Sequence, residues 1–438
     1  YENVYSHIFN NTRTLIKSCD EKGYKDYAGM MRVVQAYAIS MLTDSYGPVA
    51  YSTVIDDPTN GVSYAYDSQE QIYNSLFTLL DEAIAGFKSS TSDKESMASF
   101  DYWCDGDMNM WIKVANQFKL RFAMRIVKAN PSLAQQKAEE AVAGGVLNAE
   151  DKDVLINQGL TNELYRMYYA WSDCGTNANL ITIMEGMQDP RLPLYMKKNF
   201  AGITCEDGSI IEEGTRYLGI RPGHDIVAKP NEYVNYSYAV LDYTTPLPVM
   251  FAAESYFLRA EGALRGWNMG GTAKDFYEEG IRTSIKHQLA YKGPFAGITS
   301  ISDAEIEAFI NNTASQEDLV DPVNSKFNHK AMNTVGTKWN ESASKEEKLQ
   351  QIILQKWVAN FPLSTEAWAE YRRTGYPKLF PNYKNNSDGT IDTDEQIRRL
   401  IYSNNEINTN NEELQNGIKI LNQENTSAKF SGDLGGTR

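Results

Sequence analysis

Over residues 29–46 the apolar side chains Met30, Val33, Val34, Tyr37, Met41 and Leu42 recur at the spacing of one helix face, and Gly47-Pro48 supplies a stop. Asp67, with Glu70 three residues on, reads as a capping box for a second amphipathic helix marked by Ile72, Leu76, Leu79, Leu80, Ala83 and Phe87. The two are expected to pack antiparallel. Asp107 reads as the N-cap of a third helix with Trp111, Val114, Ala115, Phe118, Phe122 and Ile126 on one stripe and Leu120, Met124 and Val127 on another. Two apolar faces imply burial on both sides. That helix must stop before Asn130-Pro131, and an Ala-rich helix over 132–143, closed by Gly144-Gly145, follows.

Over 146–247 the pattern changes to short segments broken by Gly, Pro, Asp and Asn, rich in tyrosine and without a sustained helical period. The period returns over 249–265, turns through 266–271 and restarts at Thr272, with Asp275 three residues on. This hairpin spans about 36 residues and carries small and aromatic residues at Ala260, Ala263, Ala273, Phe276 and Ile281, which resembles a tetratricopeptide unit. A further pair, 346–360 and 364–373, is joined across Phe361-Pro362, and the chain beyond Gly375 is Asn-rich and reads as mostly irregular. The expected fold is mostly α: tetratricopeptide-like helix pairs over 4–145 and 249–375 form a scaffold for a loop-rich, irregular ligand-binding region, within a single domain of residues 1–438.

Composition narrows the function. The 57 acidic and 42 basic side chains give a formal charge of −15, which opposes docking on phosphate backbones or anionic lipid, so nucleic acid is not an expected partner. No segment has the roughly 20 apolar residues of a membrane-spanning helix. Tyr1 is not Met, which reads as a processed chain whose signal peptide has gone. Cys19, Cys104, Cys174 and Cys205 are too widely spaced for a zinc site or a redox dithiol and read as buried thiols, a disulfide remaining the alternative.

Catalytic spacing is absent. There is no phosphate loop, dinucleotide turn or helical zinc pair, and His7, His224, His287 and His329 are isolated. Gly61-Val62-Ser63-Tyr64-Ala65 lacks the second glycine of a nucleophile elbow. Asp105-Gly106-Asp107-Met108-Asn109 begins like a calcium loop but has Met110 and Asn116 where a glycine and a bidentate acid belong, so Asp107 reads as a helix cap. No metal and no cofactor is expected.

Several strings, in order, resemble the SusD/RagB family of outer-membrane nutrient-binding lipoproteins, in its SusD-like branch. They are 32–51, Gly106-Asp107 with 111–116 and 119–126, Asp189-Pro190-Arg191-Leu192, 254–266, Gln355-Lys356-Trp357 with Glu366-Ala367-Trp368, and 372–377. Trp111, Phe118 and Trp357 lie at core spacing, and Arg121 and Arg125 are placed to bridge buried carboxylates or backbone carbonyls. The resemblance implies a noncatalytic protein, lipid-anchored on the outer face of a Bacteroidetes-type outer membrane through an N-terminal anchor outside this chain. It also implies a SusC-type TonB-dependent transporter as partner. The aromatic ending usual in the family is not visible at Gly435-Gly436-Thr437-Arg438.

The family binds through variable loops, so candidate residues come from chemistry. A sugar ring stacks its C–H face on an aromatic ring while its hydroxyls pair with Asn, Asp, Arg and Gln at the rim. The candidates are Tyr64, Tyr66, Trp103, Tyr168, Tyr169 and Trp171 beside Asp173, Asn177 and Asn179, then Tyr233, Tyr236 and Tyr238 near Arg221, Asn231 and Asn235. Oligosaccharide capture leads. Capture of peptides or glycopeptides by the same kind of importer and a protein-binding helical-repeat adaptor are the alternatives, and a glycoside hydrolase has no motif in its favour.

Overall fold

The computed structural model describes residues 1–56, 63–157, 161–226 and 231–427, with side chains through Leu421. Gly61 and Val62 of the incomplete elbow and the ending at 435–438 lie outside the described residues. The longer helices are α1 (Asn10–Lys22), α2 (Lys25–Tyr46), α3 (Gln69–Lys88), α4 (Met108–Arg125), α5 (Pro131–Gly144), α6 (Ala178–Gly186), α7 (Ala253–Leu264), α8 (Ala273–Ala296), α9 (Lys345–Ala359), α10 (Ser364–Thr374) and α11 (Asn411–Ser427). Strand β1 (Val154–Ile156) pairs antiparallel with β4 (Leu247–Met250), Val154 opposite Met250, and β2 (Ile203–Thr204) pairs with β3 (Ile210–Ile211). The fold is mostly helical, with tetratricopeptide-like helix pairs.

Helix α2 runs antiparallel to α3, and two glycines allow their close approach. A Cβ on Gly86 would stand 2.4 Å from the Lys25 carbonyl oxygen, and one on Gly29 would stand 2.9 Å from the Phe87 ring. The α3 cap differs from expectation by one residue. Ser68 and Gln71 form the capping box, while the Asp67 carboxylate instead accepts from the Tyr51 and Ser52 amides at 3.0 and 2.7 Å. Asp107 caps α4 as expected, accepting from the Asn109 and Met110 amides, and Thr272 caps α8, accepting from the Asp275 amide. Among the described residues no disulfide forms; Cys104 is buried as expected, but Cys19, Cys174 and Cys205 are only half-buried.

Helix α4 is buried on both faces. Trp111, Val114, Phe118 and Phe122 belong to one hydrophobic cluster with α2 and α3, and Leu120, Ala123 and Met124 to a second with α6 to α9. Where α4, α7, α9 and α10 meet, buried ions replace hydrocarbon. Arg121 Nε donates to Glu254 at 3.0 Å, Arg125 reaches Asp44, Glu366 and Glu370, and Lys356 lies 3.1–3.3 Å from Glu254, Glu366 and Glu370. Arg373 joins Glu261 to Glu370, and Arg265 also pairs with Glu261. These cations thus stand against Asp44, Glu254, Glu261, Glu366 and Glu370, the pairing that a low-dielectric interior requires of charge that stays ionised. Burial would raise the Glu366 carboxyl, but Arg125, Lys356 and Arg121 outweigh it and hold it down at about 2. The bridging role read for Arg121 and Arg125 is thereby seen, to carboxylates.

Two features depart from the sequence reading. Trp357 is half-buried: it packs against the second hydrophobic cluster, as its spacing predicts, but its outer side also lines a cleft. The tail is irregular only to about 403, after which Asn404–Thr409 and α11 are helical. Leu414, Ile418 and Leu421 give α11 an apolar stripe, and Gly417 lets Tyr66 pack against its backbone. Asparagines on the other face had masked that short stripe.

Candidate functional site

The loop-rich region carries a ladder of aromatic rings with exposed members at its edges, and backbone polar groups explain its position. Asn162 fastens two loops: its amide donates to the Tyr243 carbonyl at 3.0 Å and its Nδ2 to the Thr245 carbonyl at 3.0 Å, while its Oδ1 caps the helical turn at Tyr165. Four residues further on, Tyr169 lies on the same face, so the rings of Tyr165 and Tyr169 stack at 4.9 Å and 26°. The Tyr169 hydroxyl donates to the Ala239 carbonyl at 2.6 Å and fixes that ring against the neighbouring loop.

Other rings extend the ladder in both directions. Tyr243 meets Tyr165 edge-on at 6.0 Å, Tyr238 meets Tyr169 edge-on at 5.5 Å, and Phe200 lies flat on Tyr238 at 5.5 Å and 13°. Tyr168 also touches Tyr238, at 5.6 Å. Trp171 stands beside this turn with the Arg166 guanidinium 5.9 Å over its ring, and Lys197 Nζ lies 5.2 Å over Tyr169. Trp171, Phe200 and Tyr243 remain 55%, 58% and 53% exposed. Clustered aromatic surface of this kind left in water is unusual and makes this face the candidate site. Burial, with the nearby Cys174, pushes the Tyr168 hydroxyl up to about 12, and burial raises Tyr169 further, so both rings are neutral hydrogen-bonding groups near pH 7.

Four of the expected residues, Tyr168, Tyr169, Trp171 and Tyr238, therefore meet in one place; the others do not join them. Asn177 caps α6, and Asn179 is buried, accepting from the Phe380 amide at 2.7 Å. Tyr236 is 1% exposed and, with Tyr233, donates to Asp321. Arg221 is buried, donating to the Asn328 and Pro381 carbonyls under the Tyr383 ring. Asn235 donates to the Gly202 carbonyl, and Asn231 caps the turn at Tyr233.

Tyr66 is buried against Tyr402, its hydroxyl on Glu406. Tyr64 lines a cleft of about 600 Å³ at the N-terminal end of the scaffold, with Tyr1, Tyr5, Arg13, Glu406 and Asn410. Trp103 stacks on Trp111 at 5.5 Å and edges a 540 Å³ cleft that also holds Asp105, Asp151, Lys152, Asp153 and His287. Burial would lower the His287 imidazole, but its hydrogen bond to Asp153 wins and raises it. Among the described residues, no group of three or more His, Cys, Asp or Glu is placed to hold a metal.

Sequence reasoning missed Tyr165, Phe200 and Tyr243. Tyr165 was readable from its spacing to Tyr169, four residues apart. Phe200 and Tyr243 sit in separate loops and carry no local signal.

The family profile SusD-like, described as Susd and RagB outer membrane lipoprotein, matches residues 1–431. Comparison with curated proteins returns no match. Among solved structures, a chitin-binding SusD homologue from Flavobacterium johnsoniae is 33% identical with TM-score 0.84, covering 100% of this chain and 85% of its own. A SusD homologue from Bacteroides thetaiotaomicron is 30% identical with TM-score 0.84, covering 99% and 85%. One from Bacteroides ovatus is 33% identical with TM-score 0.83, covering 99% and 85%. Among the described residues no helix is long and apolar enough to cross a membrane.

Proposed function

Because the chain belongs to the SusD-like family of outer membrane lipoproteins, whose members bind nutrients and are not enzymes, we propose that it captures oligosaccharides noncovalently on the ladder of Tyr165, Tyr169, Tyr238 and Phe200. The observation that carries this reading is the ladder itself. The rings of Phe200, Tyr243 and Trp171, exposed around the half-buried Tyr165 and Tyr169 and edged by Lys197 and Arg166, suit a ligand with a C–H face and a hydroxyl rim. The chitin-binding relative supports a sugar as the ligand class and makes chito-oligosaccharides the first probe.

The protein then acts as one domain at the cell surface, held by an N-terminal lipid, and passes its ligand to a SusC-type TonB-dependent transporter. Family membership supports this partnership. Calorimetric titration against chito- and malto-oligosaccharides, with a peptide mixture in parallel, tests the ligand class. A glycan should bind better than millimolar, with Trp171→Ala and Phe200→Ala each weakening it by about five- to thirtyfold, the scale of one lost aromatic contact. Glycans failing while peptides bind would move the assignment to peptide capture. Isolation from the native outer membrane should bring down a large barrel protein, and its repeated absence would refute the partnership.

A further inference from the structure

The loop-rich region begins at β1 and ends at β4, and a short stretch of α8 grips the chain at both ends. His287 Nδ1 lies 3.0 Å from the Asp153 carboxylate and its Nε2 3.1 Å from the Ala149 carbonyl, just before β1. One helical turn on, the Tyr291 hydroxyl donates to the Pro246 carbonyl at 2.6 Å, and its neighbour Lys292 donates from Nζ to the Val240 carbonyl at 3.1 Å, just before β4. These ties end beside the ladder. Val240 follows Ala239, whose carbonyl holds the Tyr169 hydroxyl, and Pro246 follows Thr245, whose carbonyl holds Asn162.

The surroundings of His287 fix its charge. A carbonyl and an ionised carboxylate both only accept, so a ring set between them is satisfied on both sides only when each nitrogen carries a proton. A neutral imidazole has one N–H and leaves one of these bonds unmade. Burial works against the charge, but the hydrogen bond and charge of Asp153 outweigh it, and Asp151, itself paired with Lys113, adds to the effect. The other charged groups nearby are spent or turned away: Lys152 pairs with Asp105, Lys286 with Asp303, and Glu150 is exposed. On the segment that packs against α8 from 189 to 195, Asp189 and Arg191 pair with each other and Tyr195 donates to the Val358 carbonyl. The His287 side chain is 17% exposed at the 540 Å³ cleft, so solvent reaches the ring. Lys292 is 1% exposed beside the Tyr291 ring, and among the described residues no carboxylate pairs with it; Asp242, two residues beyond Val240, accepts from Thr244 instead.

We propose that His287, Tyr291 and Lys292 are positioning residues for the aromatic ladder, a strap across the stem of the loop-rich region that loosens when His287 gives up one of its two protons. A histidine held protonated in the folded state contributes fully below its ordinary value of about 6.5, and the contribution is lost as pH rises through the folded value. The consequence for ligand affinity rests on oligosaccharide capture by the ladder; the strap itself does not.

Amide hydrogen exchange on the whole, ligand-free chain tests the strap. The Lys197 and Val240 amides, bonded to the Tyr238 and Tyr195 carbonyls, should exchange about three- to tenfold more slowly in the parent than in His287→Gln below pH 6.5, the scale of one hydrogen bond, and at equal rates once the ring is neutral. Lys292 is present in both chains, so its own titration cancels in the ratio. Tyr291→Phe removes an uncharged tie and should speed the same amides by one factor at every pH. In the histidine proton spectrum, the resonance missing from His287→Gln should titrate above about 6.5. Chito-oligosaccharide affinity should follow the same parent-to-variant ratio; glycans that fail to bind at any pH while the exchange ratio behaves as expected would remove oligosaccharide capture and leave the strap. Should the Gln chain not fold, His287→Asn makes the same comparison. A histidine midpoint at or below 6.5, an exchange ratio that does not change with pH, or an equal change in the amides of α3 would overturn the proposal.

Discussion

Arg373 offers the sharpest test of what holds the scaffold together. It is 1% exposed and makes four hydrogen bonds, two to Glu261 on α7 and two to Glu370 on its own helix, at 2.6–3.0 Å. Arg373→Met keeps most of the volume and removes the charge. Glu370 would retain Arg125 and Lys356, whereas Glu261 would retain only Arg265, which is 31% exposed. Breaking one side of a buried pair typically costs about 3–5 kcal/mol. The retained partners place the expectation near the lower end, about 3 kcal/mol. Unfolding entropy of about 2.1 cal/mol/K per residue gives roughly 0.9 kcal/mol/K over 438 residues, so Tm should fall by about 3–4 °C.

Acid supplies the second half of the same test. Burial would raise the Glu261 and Glu370 carboxyls, but Arg373 and its neighbours outweigh burial and hold both below the usual range, Glu370 well below. Groups depressed in the folded state stabilise it fully above their unfolded value of about 4.3, and that contribution is lost as pH falls through the folded value. Calorimetric scans between pH 5 and pH 2 should therefore show a steep loss in the parent and a shallower one in Arg373→Met. A Tm change under 1 °C, or acid slopes that superimpose, would refute the view that this pairing carries stability.

Lys292, 1% exposed with Nζ on the Val240 carbonyl at 3.1 Å, is pushed down to about 7 by burial. The unfolded chain then binds the extra proton between pH 7 and about 10, so stability should rise over that window by about 3–4 kcal/mol, and urea midpoints for Lys292→Met should lack the rise. Gly86→Ala pushes a methyl into the Lys25 carbonyl and should cost about 1–3 kcal/mol by urea titration; a neutral result would mean that α2 and α3 can shift apart freely. Tyr169→Phe removes only the hydroxyl that holds the ring to Ala239, and glycan affinity should fall by about three- to tenfold with the stacking surface intact.

Helices with long apolar stripes were legible in the sequence because their signal is local: α2, α3, α4 and the α7–α8 hairpin follow from spacing and caps alone. The capping box shifted by one residue because Asp67 and Ser68 are both competent caps, and only the approach of Tyr51 and Ser52 decides between them. α11 escaped because three apolar residues among asparagines are a weak stripe until Tyr66 and the N-terminal cluster supply its partner. The aromatic ladder was half legible. Tyr168, Tyr169 and Trp171 are neighbours in sequence, whereas Phe200 and Tyr243 arrive through tertiary contacts. Tyr236 and Arg221 have the composition of ligand contacts but are spent on the protein itself, a distinction that burial makes and sequence cannot.

Helix α4 gives large side chains to both hydrophobic clusters along most of its length. Neither cluster can open without stripping a face from it, so the two halves of the scaffold have no independent route to unfolding. The amides of Val114 to Met124 should accordingly be among the last to exchange with solvent, at rates set by opening of the whole scaffold. A fragment cut to hold only one helix pair would leave a face of α4 bare. Loops such as those bearing Phe200 and Trp171 are thereby free to vary in sequence without passing their instability inward.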